Sequence, residues 1–419
     1  MTIIPIDTRS LVDYRRFLAV RKCPVYRFSG YNAIIPDEYA ADVLGTRPIK
    51  QKTDQEFSPH PESFDYQAAI SRIAVRKRKF AAFVECGLGK TMILLDFVRH
   101  AQKQIGDKKC SLIISPLMVI SQTLAEAARF FPQLEIKHVR SSKLQEFLTV
   151  GTGIGITNFE ALDTDMEAGR LGALVIDESS MLKSHYGKWG TSIINLGAGL
   201  EWKLALTGTP APNDRIEYAN HAVFLGACKT VNEFLARYFI NRGQTDNRWE
   251  LKVHAIEPFY RDISHWCIFL SNPAVYGWKD NSDNIPPIIV HIDHVDLTCQ
   301  QQKILQKVTG GLFVGDIGGI GHRSTMGQIA KGRFDGMRIA TNKPEFIRKM
   351  VDSWPEESTL IWCLYNDEQR QIAEVFPEAG NITGDTPFDE RARIIDNFKA
   401  GKLRTVISKP RILGFGLNL

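Results

Sequence analysis

The sequence predicts an α/β protein whose parallel sheets are covered by helices on both faces. Three observations carry this. From about residue 64, short β-branched runs alternate with amphipathic helical segments. The runs are almost continuously apolar, as strands buried on both faces must be. The alternation lapses after residue 215 and starts again near residue 341, so a second lobe of the same kind is expected. At 419 residues the chain exceeds one ordinary hydrophobic core, which favours two or three domains.

Residues 1–55 form an N-terminal accessory segment. It has a helical stretch, LVDYRRFLAV, a strand and turn in VYRFSGYNAIIP, and the start of a polar, proline-containing linker, KQKTDQEFSPHPES. Residues 56–215 form the first lobe, with strands AAFVE (81–85), SLIIS (111–115), GIGIT (153–157), ALVID (173–177) and KLALT (203–207). Helical segments such as TMILLDFVRHAQK and LMVISQTLAEAARF separate them. Residues 216–340 read as a helical insertion and linker, with EYANHAVFL, TVNEFLARYF, the aromatic-rich EPFYRDISHWCIFL and the alternating IIVHIDHVDL. Residues 341–419 resume the alternation with helix KPEFIRKMVDSW, strand TLIWC, helix DEQRQIAEVF, strand-like NIT, helix DERARIIDNF and strand RTVIS.

Composition narrows the class. With 44% hydrophobic and 24% charged residues the chain is neither disordered nor fibrous. Its best apolar run, LIISPLMVI, is too short to span a bilayer and is broken by Pro116. The N-terminus lacks the pattern of a signal peptide, so a cytoplasmic location and no membrane partner are expected. Seven scattered cysteines contain no CxxC pair, which excludes a zinc ribbon and indicates reduced thiols. Net charge is only +5, but Arg72–Lys79 holds five basic residues and no acid. Such a cluster is ordinarily a solvated helix face, and phosphate contact is the alternative reading.

The first chemical motif is ECGLGKT (85–91), which leaves the strand AAFVE and opens a helix. Gly87, Leu88 and Gly89 can turn backbone N–H groups around phosphates, and the helix N-terminus adds its positive dipole end. Lys90 would reach the β- and γ-phosphates and Thr91 would ligate Mg²⁺. Val84 stands where the full GxxxxGK[ST] pattern has glycine, so a plain strand-to-helix turn competes with this reading. ALVIDESS (173–180) strengthens the nucleotide reading, because it is an apolar strand that ends in two carboxylates. Asp177 can hold the metal, and Glu178 can orient and deprotonate an attacking water. Together the two motifs point to nucleoside triphosphate hydrolysis, with Lys90, Asp177 and Glu178 as the catalytic set.

With LALTGTPAPND (204–214), the ordered series FDYQ (64–67), GLGKT, LIISPL, ITNFEAL, VIDESS and LTGTP resembles the motifs of superfamily II helicases. Within these, GLGKT, the LKS at Leu182–Ser184 and LTGTP are most similar to Swi/Snf-like ATPases of phage and bacterial type. The resemblance covers about residues 60–419. It continues through TCQQQKILQKV (298–308), QIAKG (328–332), TLIWC, NITGDT (381–386) and the closing GFGLNL.

The resemblance implies tandem RecA-like P-loop lobes, the second one incomplete, that use ATP and Mg²⁺ to move along DNA, most naturally duplex. It further implies that Gln67 reads the adenine edge with Tyr66 packed nearby. Ser115, Pro116 and Thr157 would lie by the nucleic-acid backbone. Thr207, Gly208 and Thr209 would couple the nucleotide site to the interlobe cleft. Gly416 and Asn418, in a fifth motif, would face nucleotide and nucleic acid. An RNA helicase, a restriction-type translocase subunit and a catalytically silent ATP-binding scaffold are the alternatives. The cell implied is bacterial or phage-infected.

Two departures stand out. DESS replaces the more frequent DEAH-like tetrad, which leaves the metal and water roles in place but removes a histidine. The sixth motif, whose arginines would stabilise charge on the γ-phosphate, has no counterpart before Leu419. Residues 1–419 alone are therefore expected to bind ATP weakly and turn it over poorly.

Overall fold

The structure is a computed structural model that describes residues 2–23, 25–36, 39–45, 57–182, 188–243, 249–279, 288–309, 320–354 and 357–414. By its internal contacts the chain forms two compact units, Met1–Pro286 and Pro287–Leu419.

The first unit opens with a small antiparallel sheet of β1 (Thr2–Pro5), β2 (Arg27–Ser29) and β3 (Asn32–Ile35), in the order β1-β3-β2. Helix α1 (Leu11–Lys22) begins where Ser10 accepts a hydrogen bond from the Asp13 N–H, and the short α2 (Ala40–Leu44) follows the sheet. Ile4, Val20, Ala33, Ile35 and Val43 make a separate small core. Arg27 fastens this module to the rest of the unit. Its Nη1 donates to Glu233 Oε1 at 2.9 Å and to the Ala227 carbonyl at 3.3 Å.

The main sheet grows from α3 (Asp65–Lys77), β4 (Lys79–Val84), α4 (Lys90–Ile105), β5 (Cys110–Ser115), α5 (Ile120–Phe130), β6 (Ile136–His138), α6 (Ser141–Val150), β7 (Gly153–Asn158), β8 (Leu171–Ile176), α7 (Lys188–Leu196) and β9 (Trp202–Thr207). Beyond it come α8 (Tyr218–Leu225), α9 (Val231–Tyr238), a hairpin of β10 (Phe239–Asn241) and β11 (Trp249–Leu251), α10 (Ile256–Ile263) and β12 (Cys267–Leu270). Seven parallel strands lie in the order β12-β4-β9-β8-β5-β7-β6. Successive side chains point to opposite faces. Ile113 and Val175 therefore enter one core with Ile70 and Phe97, while Ile114 and Leu174 enter the other with Phe224 and Phe259. Both faces are covered, which is why these strands read as unbroken apolar runs.

All five expected strands are present. Two more were not read from the sequence. Ile136–His138 is only three residues long, and Cys267–Leu270, inside the aromatic stretch, returns to pair with β4.

The second unit contains α11 (Cys299–Thr309), α12 (Ile320–Ala330), a two-stranded hairpin of β13 (Arg333–Phe334) and β14 (Met337–Arg338), α13 (Lys343–Asp352), β15 (Thr359–Trp362), α14 (Asn366–Val375), β16 (Gly380–Asn381), α15 (Phe388–Lys399), β17 (Thr405–Ser408) and α16 (Pro410–Leu413). Its parallel sheet has the order β15-β17-β16 over a core of Val351, Ile361, Ile372, Phe376 and Ile407. The alternating IIVHIDHVDL forms no strand, and Ile288, Ile289, Val290 and Ile292 stay exposed. Alternation alone does not make a strand without a neighbouring edge to bond. No helix among the described residues is long and apolar enough to cross a membrane.

Candidate nucleotide site

Parallel pairing brings the motifs of the first unit together. Phe83 of β4 lies opposite Thr207 of β9, Ala205 of β9 opposite Ile176 of β8, and Ile176 opposite Ile114 of β5. The loops after these four strands therefore leave the same carboxyl edge of the sheet, where ligands bind in open α/β folds.

The loop after β4 is the glycine loop. Gly87 and Gly89 have φ of +86° and +70°, and Gly89 caps α4, whose first residue is Lys90. Leu88 points inward while Gly87 and Gly89 are exposed. Tyr66 and Gln67 shape the loop from below. The Tyr66 hydroxyl donates to the Leu88 carbonyl at 3.2 Å, and Gln67 Nε2 donates to the carbonyls of Leu88 at 3.1 Å and Gly89 at 3.4 Å. Gln67 Oε1 accepts the Phe64 N–H at 2.9 Å. Both side chains are buried, so the pair that the resemblance assigns to adenine is bonded here to the loop's own backbone. Lys90 Nζ donates to the Val84 carbonyl at 3.1 Å, and Thr91 follows it in the first turn, half-buried.

The acidic pair is held from two sides. Asp177 Oδ2 accepts the Ser115 hydroxyl at 3.0 Å, and Oδ1 accepts the Glu178 N–H at 3.0 Å. Burial pushes the Asp177 carboxyl up to about 6, and the neighbouring Glu178 carboxylate adds to the rise; the Ser115 bond and the Lys90 charge oppose it. Glu178 has φ of +54°, a left-handed conformation uncommon for a residue with a side chain. Its Oε1 accepts the Thr207 hydroxyl at 2.7 Å and the Ser180 hydroxyl at 2.9 Å. Thr207 Oγ1 also accepts the Thr209 N–H at 3.1 Å. Gly208 packs against the base of the glycine loop, since a Cβ there would lie 3.3 Å from Cys86 Sγ and 3.4 Å from the Val84 carbonyl.

Lys90, Thr91, Asp177, Glu178 and the Thr207–Thr209 turn are thus one constellation. The nucleic-acid set is placed differently. The Ser115 hydroxyl is held by Asp177, and the Thr157 hydroxyl is buried and donates to the Val139 carbonyl at 2.8 Å. Only Pro116 of these three is partly exposed. Gly416 and Asn418 lie outside the described residues, as do the lysine and serine of LKS. Sequence reasoning missed Ser180, Asn213, Glu217 and His221, all of which bond within this region. The available signal was an Asn-His pair inside the otherwise apolar helix EYANHAVFL.

A glycine loop running from a parallel strand into a helix N-terminus, one strand away from a strand that leads into two carboxylates, defines a P-loop nucleotide lobe of RecA-like architecture. Residues 83–335 match the SNF2-related domain, more than half of the chain, and the protein belongs to that family of superfamily II, Swi/Snf-like ATPases. It is 21% identical over 402 residues to protein p41 of Acyrthosiphon pisum secondary endosymbiont phage 1, covering 87% of this chain and 83% of that one. It is 23% identical over 238 residues to the Drosophila melanogaster homologue of the SWI/SNF-related matrix-associated actin-dependent regulator of chromatin subfamily A containing DEAD/H box 1. That match covers 52% of this chain and 27% of the fly protein. Among solved structures, the Sulfolobus solfataricus SWI2/SNF2 ATPase core, solved in complex with dsDNA and also as the core domain, is 20% identical. Each covers 87% of this chain and 81% of its own, with TM-scores of 0.43 and 0.42.

Proposed function

We propose that this protein is a motor that hydrolyses ATP to move along double-stranded DNA. The observation that carries the reading is the pairing of two differently held carboxylates at one sheet edge. Asp177 is fixed by Ser115, and Glu178 by Thr207 and Ser180, close to the helix start that carries Lys90 and Thr91.

The donor set suits a magnesium–nucleotide pair, because it offers the Thr91 hydroxyl in the first turn of a helix whose N-terminal amides favour phosphate and the Asp177 carboxylate on the same sheet edge. Thr91 and Asp177 would hold Mg²⁺, which offsets charge on the phosphate oxygens. The backbone of Gly87–Gly89 would cradle the phosphates, with Tyr66 and Gln67 fixing the loop's shape. Lys90 would leave the Val84 carbonyl and reach the outer phosphates. Glu178 would take a proton from the water that attacks the γ-phosphorus, as the bond to the departing ADP oxygen breaks. Thr207 and Ser180 aim that carboxylate. Family membership supports duplex DNA as the track; of the three residues assigned to its backbone only Pro116 is partly exposed, so contact on this edge would run through the loop after β5.

Comparing ATPase stimulation by duplex DNA, single-stranded DNA and RNA tests the assignment. The strongest stimulation is expected from duplex DNA. A preference for RNA would move the protein to the RNA helicases, and ATP binding without turnover in any of the three would make it a scaffold.

A further inference from the structure

The acidic tetrad carries serine where a histidine is more frequent, yet an imidazole lies beneath it. His221 of α8 is fully buried. Its Nε2 is 3.0 Å from Ser179 Oγ, and its Nδ1 is 3.4 Å from the Glu217 carbonyl. Glu217, which caps α8 with helical backbone angles, Asn220 and His221 stand at i, i+3 and i+4 and so share one face. Each reaches a different point. The Glu217 carboxylate accepts from Asn213 N at 3.3 Å and Nδ2 at 2.8 Å, in the loop that follows Thr207–Thr209. Asn220 donates to the Leu182 carbonyl, and His221 meets Ser179. The next residue, Ser180, bonds the same Glu178 oxygen that Thr207 bonds.

A polar stripe on a helix whose other residues are apolar or aromatic, all buried except the half-buried Val223, is costly unless its groups are bonded. The bonds of Asn220 and His221 reach the turn that carries a left-handed Glu178. Such a backbone persists only where its surroundings over-determine it.

We propose that His221 is a positioning residue for ATP hydrolysis: by fixing Ser179 it holds the Asp177–Leu182 turn so that the Glu178 carboxylate faces the attacking water. This rests on the hydrolytic role of Glu178 argued above. Through Glu217 and Asn213 the same helix ties that turn to the segment after Thr207–Thr209, so both loops around the reacting phosphate share one support.

The test is steady-state ATP hydrolysis by the full-length protein with duplex DNA, for His221→Leu, Ser179→Ala, the pair combined, His221→Gln and Glu178→Gln, with a melting curve for each. A misplacement of the base on the ångström scale costs up to about 100-fold in rate, so the expected result is a kcat at least about 10-fold lower in His221→Leu with KM for ATP within about twofold. Ser179→Ala should fall alike, the combined variant no further than the worse single one, and His221→Gln should recover most of the rate. A His221→Leu kcat near the unmutated value, with Glu178→Gln inactive, would overturn the positioning role and leave the motor reading intact. So would a loss that tracks a lowered melting temperature and adds to that of Ser179→Ala, the mark of a packing role alone. Unmutated turnover by Glu178→Gln would instead remove the hydrolytic reading and this inference with it.

Discussion

Thr207 Oγ1 donates a 2.7 Å hydrogen bond to Glu178 Oε1, from the last residue of one strand to the loop after its neighbour. The bond leaves Oε1 with two donors, because Ser180 occupies the same oxygen. A carboxylate with one oxygen fixed in this way presents the other in a defined direction. Thr207→Val keeps the shape and removes the donor, so it should lower kcat about 10-fold while KM for ATP changes little. Steady-state kinetics in ATP checks this, and an unchanged kcat would show that Ser180 alone aims the carboxylate.

Gly89 tests how the glycine loop is built. A Cβ at this position would lie 2.3 Å from Gln67 Nε2, and φ is +70°. Left-handed backbone costs an ordinary residue about 1–2 kcal/mol, or about 10-fold in an equilibrium. Gly89→Ala should therefore weaken ATP binding by about 10-fold or more, and Gln67→Ala, which removes the amide's bonds to the loop carbonyls, should weaken it as well. Titration with a fluorescent ATP analogue reads both variants.

His221 and Asp177 should shape the acid limb of stability in opposite senses. Burial drives the His221 imidazole down to about 4, with its hydrogen bonds at Glu217 and Ser179 opposing only in part. In the unfolded chain it titrates near about 6.5. Between these values only the unfolded chain takes up the proton, so stability is lost as pH falls from about 6.5 to 4. Asp177 titrates near about 6 when folded, against 3.8 for an ordinary aspartate. In that window only the folded chain holds the proton, so its share of stability grows as pH falls. His221→Gln should then narrow the gap in melting temperature between pH 7.5 and pH 5, and Asp177→Asn should widen it. Equal gaps in both variants and the unmutated protein would contradict the assignment.

Arg27 should govern the attachment of the N-terminal module. Its bonds to Glu233 and Ala227 are partly exposed, and such pairs contribute about 0.2–1 kcal/mol. Arg27→Ala should leave the main melting transition in place while residues 2–45 become more sensitive to limited proteolysis. An unchanged cleavage pattern would mean that apolar packing alone holds the module.

The sequence was most legible where one physical signal dominated. AAFVE, SLIIS, GIGIT, ALVID and KLALT stand out because both faces of each strand are covered. Lys90, Asp177 and Glu178 stand out because their chemistry needs fixed offsets from a strand end. Cys267–Leu270 was illegible because its four residues sit among aromatics that suit a helix equally well, and its partner β4 lies far away in the chain. Ser180 and His221 were missed for a related reason. Their roles depend on β8, β9 and α8 meeting in space, and a histidine within a buried helix has no periodicity of its own. Gln67 shows the converse, since an amide suited to adenine is also suited to binding the carbonyls of the loop it supports.

The most direct measurement is ATP turnover by the full-length protein and by its Glu178→Gln variant, each with and without duplex DNA. Duplex DNA should stimulate the unmutated protein, while the variant binds ATP with similar affinity and hydrolyses it at least about 100-fold more slowly, as expected when a general base is lost. Hydrolysis by Glu178→Gln at the unmutated rate would contradict the account.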